Sequence, residues 1–500
     1  MKPVSTFLSG LLIGAPLLAE GVLAAEWERN AGITLGTYYS DNICLSNNFQ
    51  KGRGAATVTP DLRIRGRGAR ANLYLEGSVE YDSLADSNLE CPGGQRAQLT
   101  NRETVIPGLR YLGDLELIEN WLTLESDAFV GRNPVDPFAA GRADQFTGRD
   151  NINITYQYGA GATLQRRFSE NTGMRLRYYH NEQQNAVNLL GDSSEDRGEF
   201  DLGTDRGNNR FSMGIAGRYS KVMNEGNENT PAFDNTLSSV EARAALQLDS
   251  SWRITGLAGE EWNEFTSVRP DIDGTFWDAG LRWTPNERVE VTVGTGERFF
   301  GTTPRMSVRY RHKRSELTAD YARSLTFPRN LRAAGGGFVD PTDPDLGSGP
   351  GPLPGGSMTP GSEPTFIGNT PIINDRLGIR YRFTGRRSTI TIFAAESRQL
   401  RVEDLAEANF SDAGLTFSRA LSATLTANAG LNWSETEGQG DNVGAFGRNS
   451  QTWRASLGFN RRLGSNTTMT MGFQRIQRKS DNAFNQYDEN RATLSARHEF

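Results

Sequence analysis

Residues Leu421 to Ser434 read LSATLTANAGLNWS. Leu421, Ala423, Leu425, Ala427, Ala429, Leu431 and Trp433 share one parity, and Ser422, Thr424, Thr426, Asn428, Asn432 and Ser434 share the other. Successive side chains of a strand point to opposite faces, so this segment predicts a strand with one apolar and one wet side. The same parity recurs in Leu73, Leu75, Val79 and Tyr81, in Phe211, Met213, Ile215 and Tyr219, in Val240, Ala242, Ala244 and Leu246, and in Met469, Met471 and Phe473. Aromatic residues such as Tyr38, Trp262, Trp283, Phe299, Trp433, Trp453 and Phe500 fall toward strand ends. The repeats run for roughly 12 to 15 residues, where soluble strands average about 5 to 6. They predict an all-β fold: a transmembrane antiparallel β-barrel of about 22 strands, within a range of roughly 18 to 24.

The bulk composition fits this reading. Only 36% of residues are apolar and the mean hydropathy is −0.56. No apolar run long enough for a spanning helix follows the N-terminus, whereas a barrel strand needs apolar residues only at alternate positions. Net charge is −6 and the pI about 5.5, which leaves no basic footprint for nucleic acid. Residues 1–25 read as a signal peptide: Met1-Lys2, an apolar run from Phe7 to Ala19, and a small-residue site with cleavage expected after Ala24 or Ala25. Residues 26–500 then form a single barrel in the outer membrane of a Gram-negative bacterium, with both termini periplasmic. Strand patterning begins within a few residues of the cleavage site, which leaves no room for an N-terminal plug domain.

Short and long connections alternate. Phe168 to Asn171, Asp249 to Ser251, Lys313-Arg314, Arg419-Ala420 and Leu463 to Ser465 are short; Ser40 to Arg53, Ser83 to Leu99, Arg132 to Gly148 and Pro328 to Asn369 are long and polar. Short turns are periplasmic in bacterial barrels, so the long stretches are assigned to the outside. The Pro/Gly-rich loop at 328–369 either folds inward as a constriction or stays external. The segment Leu115 to Trp121 reads as strand or short helix.

Chemistry is sparse. The three histidines, His180, His312 and His498, share no metal spacing, and no nucleophile elbow, phosphate loop or zinc motif occurs, so neither an enzyme nor a cofactor or metal site is expected. Asp271-Ile272-Asp273-Gly274 resembles the start of a calcium loop without its later acidic ligand. Cys44 and Cys91, the only cysteines, fall in the first two external loops, and an oxidising export route favours their pairing as a disulfide. The inward parity carries both signs of charge. Arg175, Arg177, Arg218, Arg243, Arg282, Arg309 and Arg311 are lumen-facing basic residues, among Glu76, Glu80, Glu241, Glu290, Glu316 and Asp320. As one patch the arginines would favour anionic solutes; paired across strands they would only satisfy a wet lumen. Phe500 ends the final strand as an aromatic C-terminal assembly signal.

The segment Trp277 to Thr326 contains a Gly-Leu-x-Trp-x-Pro-x-x-Arg hairpin, a Phe-Gly end and paired Arg- and Tyr-bearing strands. It resembles the outer-membrane β-barrel proteins associated with the PEP-CTERM/exosortase system, which accompany exopolysaccharide genes. The resemblance implies a porin-like channel or export component of envelope polysaccharide or sorted-protein export, and carries over no functional residue. The expected partners are outer-membrane lipid and lipopolysaccharide, the barrel assembly machinery, and exopolysaccharide or its export proteins. A structural or adhesive barrel with an occluded lumen is the alternative.

Overall fold

The computed structural model describes residues 26–83, 105–134, 138, 152–187, 191–204, 210–226, 232–332, 365–366, 368–439 and 449–500. Alternation of apolar and polar residues gives each strand one face suited to lipid and one to water, and the wall is built by pairing such strands in chain order. Twenty-two long antiparallel strands close into a barrel. The first, Glu26–Ser40, pairs with Arg53–Arg67 on one side and with the last, Tyr487–Glu499, on the other. A two-residue piece, Gly301–Thr302, extends the ladder of Val289–Arg298 and is not a wall strand of its own.

The outer face is the predicted apolar parity. Leu176, Met213, Ile215, Val240, Ile392, Leu431, Met471 and Phe473 all stand about half exposed, as side chains do when only lipid can cover them. Trp252 and Trp283 stack at 5.6 Å on neighbouring strands close to the short-turn end, the position of an interfacial aromatic girdle. Most wall strands have 12 to 16 residues, as in Ala71–Asp82 and Ile152–Arg167, more than the roughly 9 to 11 that span a bilayer. The surplus lies at the long-loop end. There the outer face turns polar: Asp196 accepts from the Tyr178 hydroxyl at 2.6 Å and meets His180 Nδ1 at 2.8 Å, and Lys221 pairs with Asp234 at 2.9 Å.

One local expectation is corrected and one open reading is settled. Leu421 to Thr424 is a turn, and the strand is Leu425–Gln439. The Ser422 hydroxyl accepts the backbone N–H of Thr424 at 3.2 Å and of Leu425 at 3.1 Å, and this local closure outweighs the alternation. Leu115 to Ile118 belongs to the strand Val105–Ile118 and is not helical; the chain reverses at Asn120, whose φ of 57° is a conformation asparagine tolerates well. From Ile373 to Gln399 the pairing is unbroken, and the short and long connections alternate as expected around the whole wall.

The closing seam is shorter than its neighbours. Gly32–Ser40 pairs with Arg491–Glu499, while the ladder of residues 26–30 runs only along the second strand. Side chains reinforce it: Ser40 Oγ donates to Glu489 at 2.8 Å, Asn490 Nδ2 to Asp41 at 2.7 Å, and the Arg497 guanidinium to Asp61 at 2.7 and 3.1 Å.

Candidate functional site

The inside of the barrel falls into two parts. At the long-loop end the connections turn inward and pack. Phe327 and Arg329, at the start of the long Pro/Gly-rich loop, are buried, and so are Thr365, Phe366 and Asn369 near its end. The short helix Pro328–Arg332 lies against the opposite wall, where the Arg329 guanidinium donates to Asn181 Oδ1 at 2.7 Å. Asn181 alternates with the outward Leu176 and Tyr178, so this bond is made inside the barrel. Residues 333–364, with the glycines at 335–337, lie outside the described residues.

Among the described residues, the two largest apolar clusters lie at this end. Phe138, Phe366, Ile372, Ala406, Ala408 and Phe410 form one, with the Phe138 and Phe410 rings 6.0 Å apart. The second joins Val222 and Leu237 of the wall to Phe300, Phe327 and Val402 of the connections. Hydrogen bonds stitch the connections to one another and to the wall: Val268 N–H donates to Val402 O at 3.1 Å, and the Arg478 guanidinium donates to Phe138 O at 2.9 Å. Burial pushes the Arg329 guanidinium down to about 10, partly offset by the nearby Glu195 carboxylate, so it stays charged at neutral pH.

Toward the short turns the lumen opens into a cavity of about 1760 Å³. Turn residues Asn120, Trp121, Ser169 and Glu170 are part of its wall, so it reaches the short-turn mouth. Glycines let aromatic rings lie flat against this wall. A Cβ on Gly414 would meet the Phe393 ring at 2.6 Å.

Four of the sequence-assigned arginines, Arg175, Arg243, Arg282 and Arg309, line this cavity. They do not form one unbroken basic patch, because carboxylates interleave with them. Arg177 grips Glu125 at 2.6 and 2.9 Å and reaches Glu199 at 3.5 Å, and Arg175 reaches the same Glu199 at 3.7 Å. Arg218 pairs with Glu241 at 3.4 Å, Arg243 with Asp201, and Arg282 with Glu290 at 2.7 Å. Arg309 and Arg311 share Glu316 at 3.9 and 3.0 Å. Sequence reasoning passed over Arg305, which pairs with Asp278, and Arg298, which pairs with Glu261 at 3.1 Å. It also passed over Arg376 and Arg380, although their inward parity on Ile372–Thr384 was readable.

Cys44 is disulfide-bonded; Cys91, the other cysteine of the chain, lies outside the described residues, as does the leader 1–25. Asp273 closes a turn by accepting Asn263 N–H at 2.6 Å. Among the described residues no group of three or more His, Cys, Asp or Glu side chains could hold a metal ion. Phe500 lies at the seam, its N–H donating to Ala31 O at 2.9 Å and its ring edge-on to His498 at 5.2 Å.

An apolar outer belt, a closed wall and a charged interior define a large transmembrane β-barrel of the outer-membrane kind. Solved structures of that kind are similar to it. A mutant of the ferric enterobactin receptor PfeA from Pseudomonas aeruginosa superimposes with a TM-score of 0.51 at 11% identity, covering 95% of this chain and 81% of the receptor. The siderophore receptor PirA from Acinetobacter baumannii gives 0.51 at 9% identity, covering 95% and 80%. At such identities the likeness concerns the fold. No protein-family model matches the chain, and no curated protein matches it in sequence.

Proposed function

We propose that this chain is an outer-membrane channel that passes or helps export a polar substrate from the periplasm, in association with envelope polysaccharide. The two-part lumen carries the reading: a wide charged cavity opens at the short-turn mouth, and packed connections occupy the long-loop end. Substrate would enter from the periplasmic side, and the packed end would act as the exit gate. The polysaccharide link rests on the resemblance of Trp277 to Thr326 to exosortase-associated barrels. The similar solved structures are named as receptors for a ferric siderophore or a siderophore, and the large cavity here opens toward the short turns.

The apolar packing of the gate also favours a second reading, a structural barrel whose lumen stays shut. Conductance in planar bilayers separates the two. The intact protein is expected to conduct weakly, and a variant with Phe138→Ser, Phe366→Ser and Phe410→Ser to conduct several-fold more, because polar side chains cannot hold the cluster together. Silence from both, with the variant still folded and heat-modifiable, would leave the structural reading in place.

A further inference from the structure

The short-turn rim of the barrel is unevenly charged. Four consecutive short connections, 313–314, 385–387, 421–424 and 463–466, hold no acidic residue. Lys313 and Arg314 make up the first, and Arg386 and Arg387 lie in the second. Arg419 stands at the end of the strand that enters the third, and Arg461 and Arg462 at the end of the strand that enters the fourth. All seven side chains are exposed, and among the described residues none of them is in an ion pair. The acids at the edges of this sector are Glu287 of the preceding turn, Glu316, which Arg309 and Arg311 share, and Glu499, which Arg497 holds. The opposite rim is mixed: its turns carry Glu119, Glu170 and Asp249, and Arg70 pairs with Glu119 at 2.9 Å.

Such a sector works against itself unless an anion covers it. Neighbouring strands lie about 5 Å apart, so successive turns follow one another at roughly 10 Å along the rim, and within each turn the cations are adjacent in the chain. That is near the screening length at physiological salt, so the repulsion is only partly damped. The backbone gives a second sign. His312 faces Ser315, which leaves Lys313-Arg314 as a two-residue connection, and Lys313 has a φ of 45°. Glycine, asparagine or aspartate suits that conformation better, yet the position carries a cation.

The height of the sector tells what the anion belongs to. The outward apolar positions Tyr310, Phe383, Phe417 and Phe459 lie two or three residues from these cations, in the lipid-facing register that also holds Leu317, Ile390 and Met471. Two or three residues of tilted strand descend roughly 5 to 7 Å, the depth of the headgroup zone on one side of a bilayer. The guanidinium fork matches phosphate oxygens with paired hydrogen bonds, and six of the seven cations are arginines. We propose that the rim from Lys313 to Arg462 is a binding site for anionic phospholipids of the leaflet at the short-turn end, with the arginines on the phosphates and the apolar belt above them on the acyl chains. The site does not depend on what the lumen passes.

Nanodiscs made from equal parts of phosphatidylglycerol and phosphatidylethanolamine, carrying the full chain, supply the test. After gentle detergent extraction, native mass spectrometry is expected to find phosphatidylglycerol retained at least fivefold over phosphatidylethanolamine. The preference should fall at least fivefold when Arg386, Arg387, Arg461 and Arg462 are all replaced by glutamine, and should stay unchanged in Arg70→Gln on the opposite rim. Equal retention of the two lipids, or a preference that survives the fourfold replacement, would overturn the site and leave the cations to a soluble acidic partner. Full competition by millimolar glycerol phosphate, the headgroup without its chains, would overturn the assignment to a membrane lipid. Should the fourfold variant fail to show heat-modifiable folding, the unaltered chain still decides: 0.5 M NaCl during extraction should strip phosphatidylglycerol severalfold, because exposed charges are screened at that ionic strength, and salt-independent retention would count against the site.

Discussion

The two ends of the lumen are made from the same kind of strand and differ in what covers the inward side chains. At the long-loop end, Val222, Phe327 and Ile372 are fully buried, as are the charged Arg329 and Glu195. Toward the short turns, inward side chains such as Arg282 and Glu290 keep roughly half and a third of their exposure. The same residue types thus act as packing in one place and as a hydrated lining in the other. Alternation along a strand selects a face; the length of the connections decides whether that face becomes a core.

The largest test of that contrast is at Phe327. Truncating a fully buried phenylalanine to alanine costs about 4 kcal/mol, because the cavity left behind collapses only in part. Phe393→Ala, at a partly exposed ring on the cavity wall, should cost less than half as much in the same denaturant titration. Equal losses would mean that the long-loop end is no better packed than the lining.

Ion pairs sharpen the comparison at smaller amplitude. Arg298 and Glu261 retain 8% and 5% of their side-chain exposure, so Arg298→Ala strands a buried carboxylate at a cost of about 3 kcal/mol. Arg282→Ala breaks a pair of similar geometry in water, and should cost less than about 1 kcal/mol. A double-mutant cycle on each pair would expose any error in this ranking. Smallest is Gly414→Ala, whose new Cβ pushes the Phe393 ring toward the cavity. It should cost about 1 kcal/mol and narrow the pore of the gate-opened variant, and unchanged conductance would show that the ring finds another place.

Much of the wall was legible because a strand has a period of two. Leu431 and Met213 announce their side by parity alone, and the turn at Lys313-Arg314 by its brevity. The packed end was not legible. Phe138, Phe300 and Phe366 lie in connections with no period, and nothing in the neighbouring sequence says that Arg329 reaches Asn181 across the barrel. Parity likewise placed Arg177 inside but could not pair it with Glu125, 52 residues away, since pairing depends on register. Arg376 and Arg380 are the opposite case: their signal was present on one strand and needed only the cavity to give it meaning.

The closing seam is made by the first and last strands of the chain. Ser40 and Glu489 are 449 residues apart in the chain, and no local contact can bring them together early. Until the last strand is in place, the sheet has two raw edges, Glu26–Ser40 and Tyr487–Glu499, each a row of backbone donors and acceptors that any passing strand could capture. Long-range closure of this kind is entropically late, so the time to a finished barrel depends less on the hairpins than on how long those edges are kept from the wrong partner.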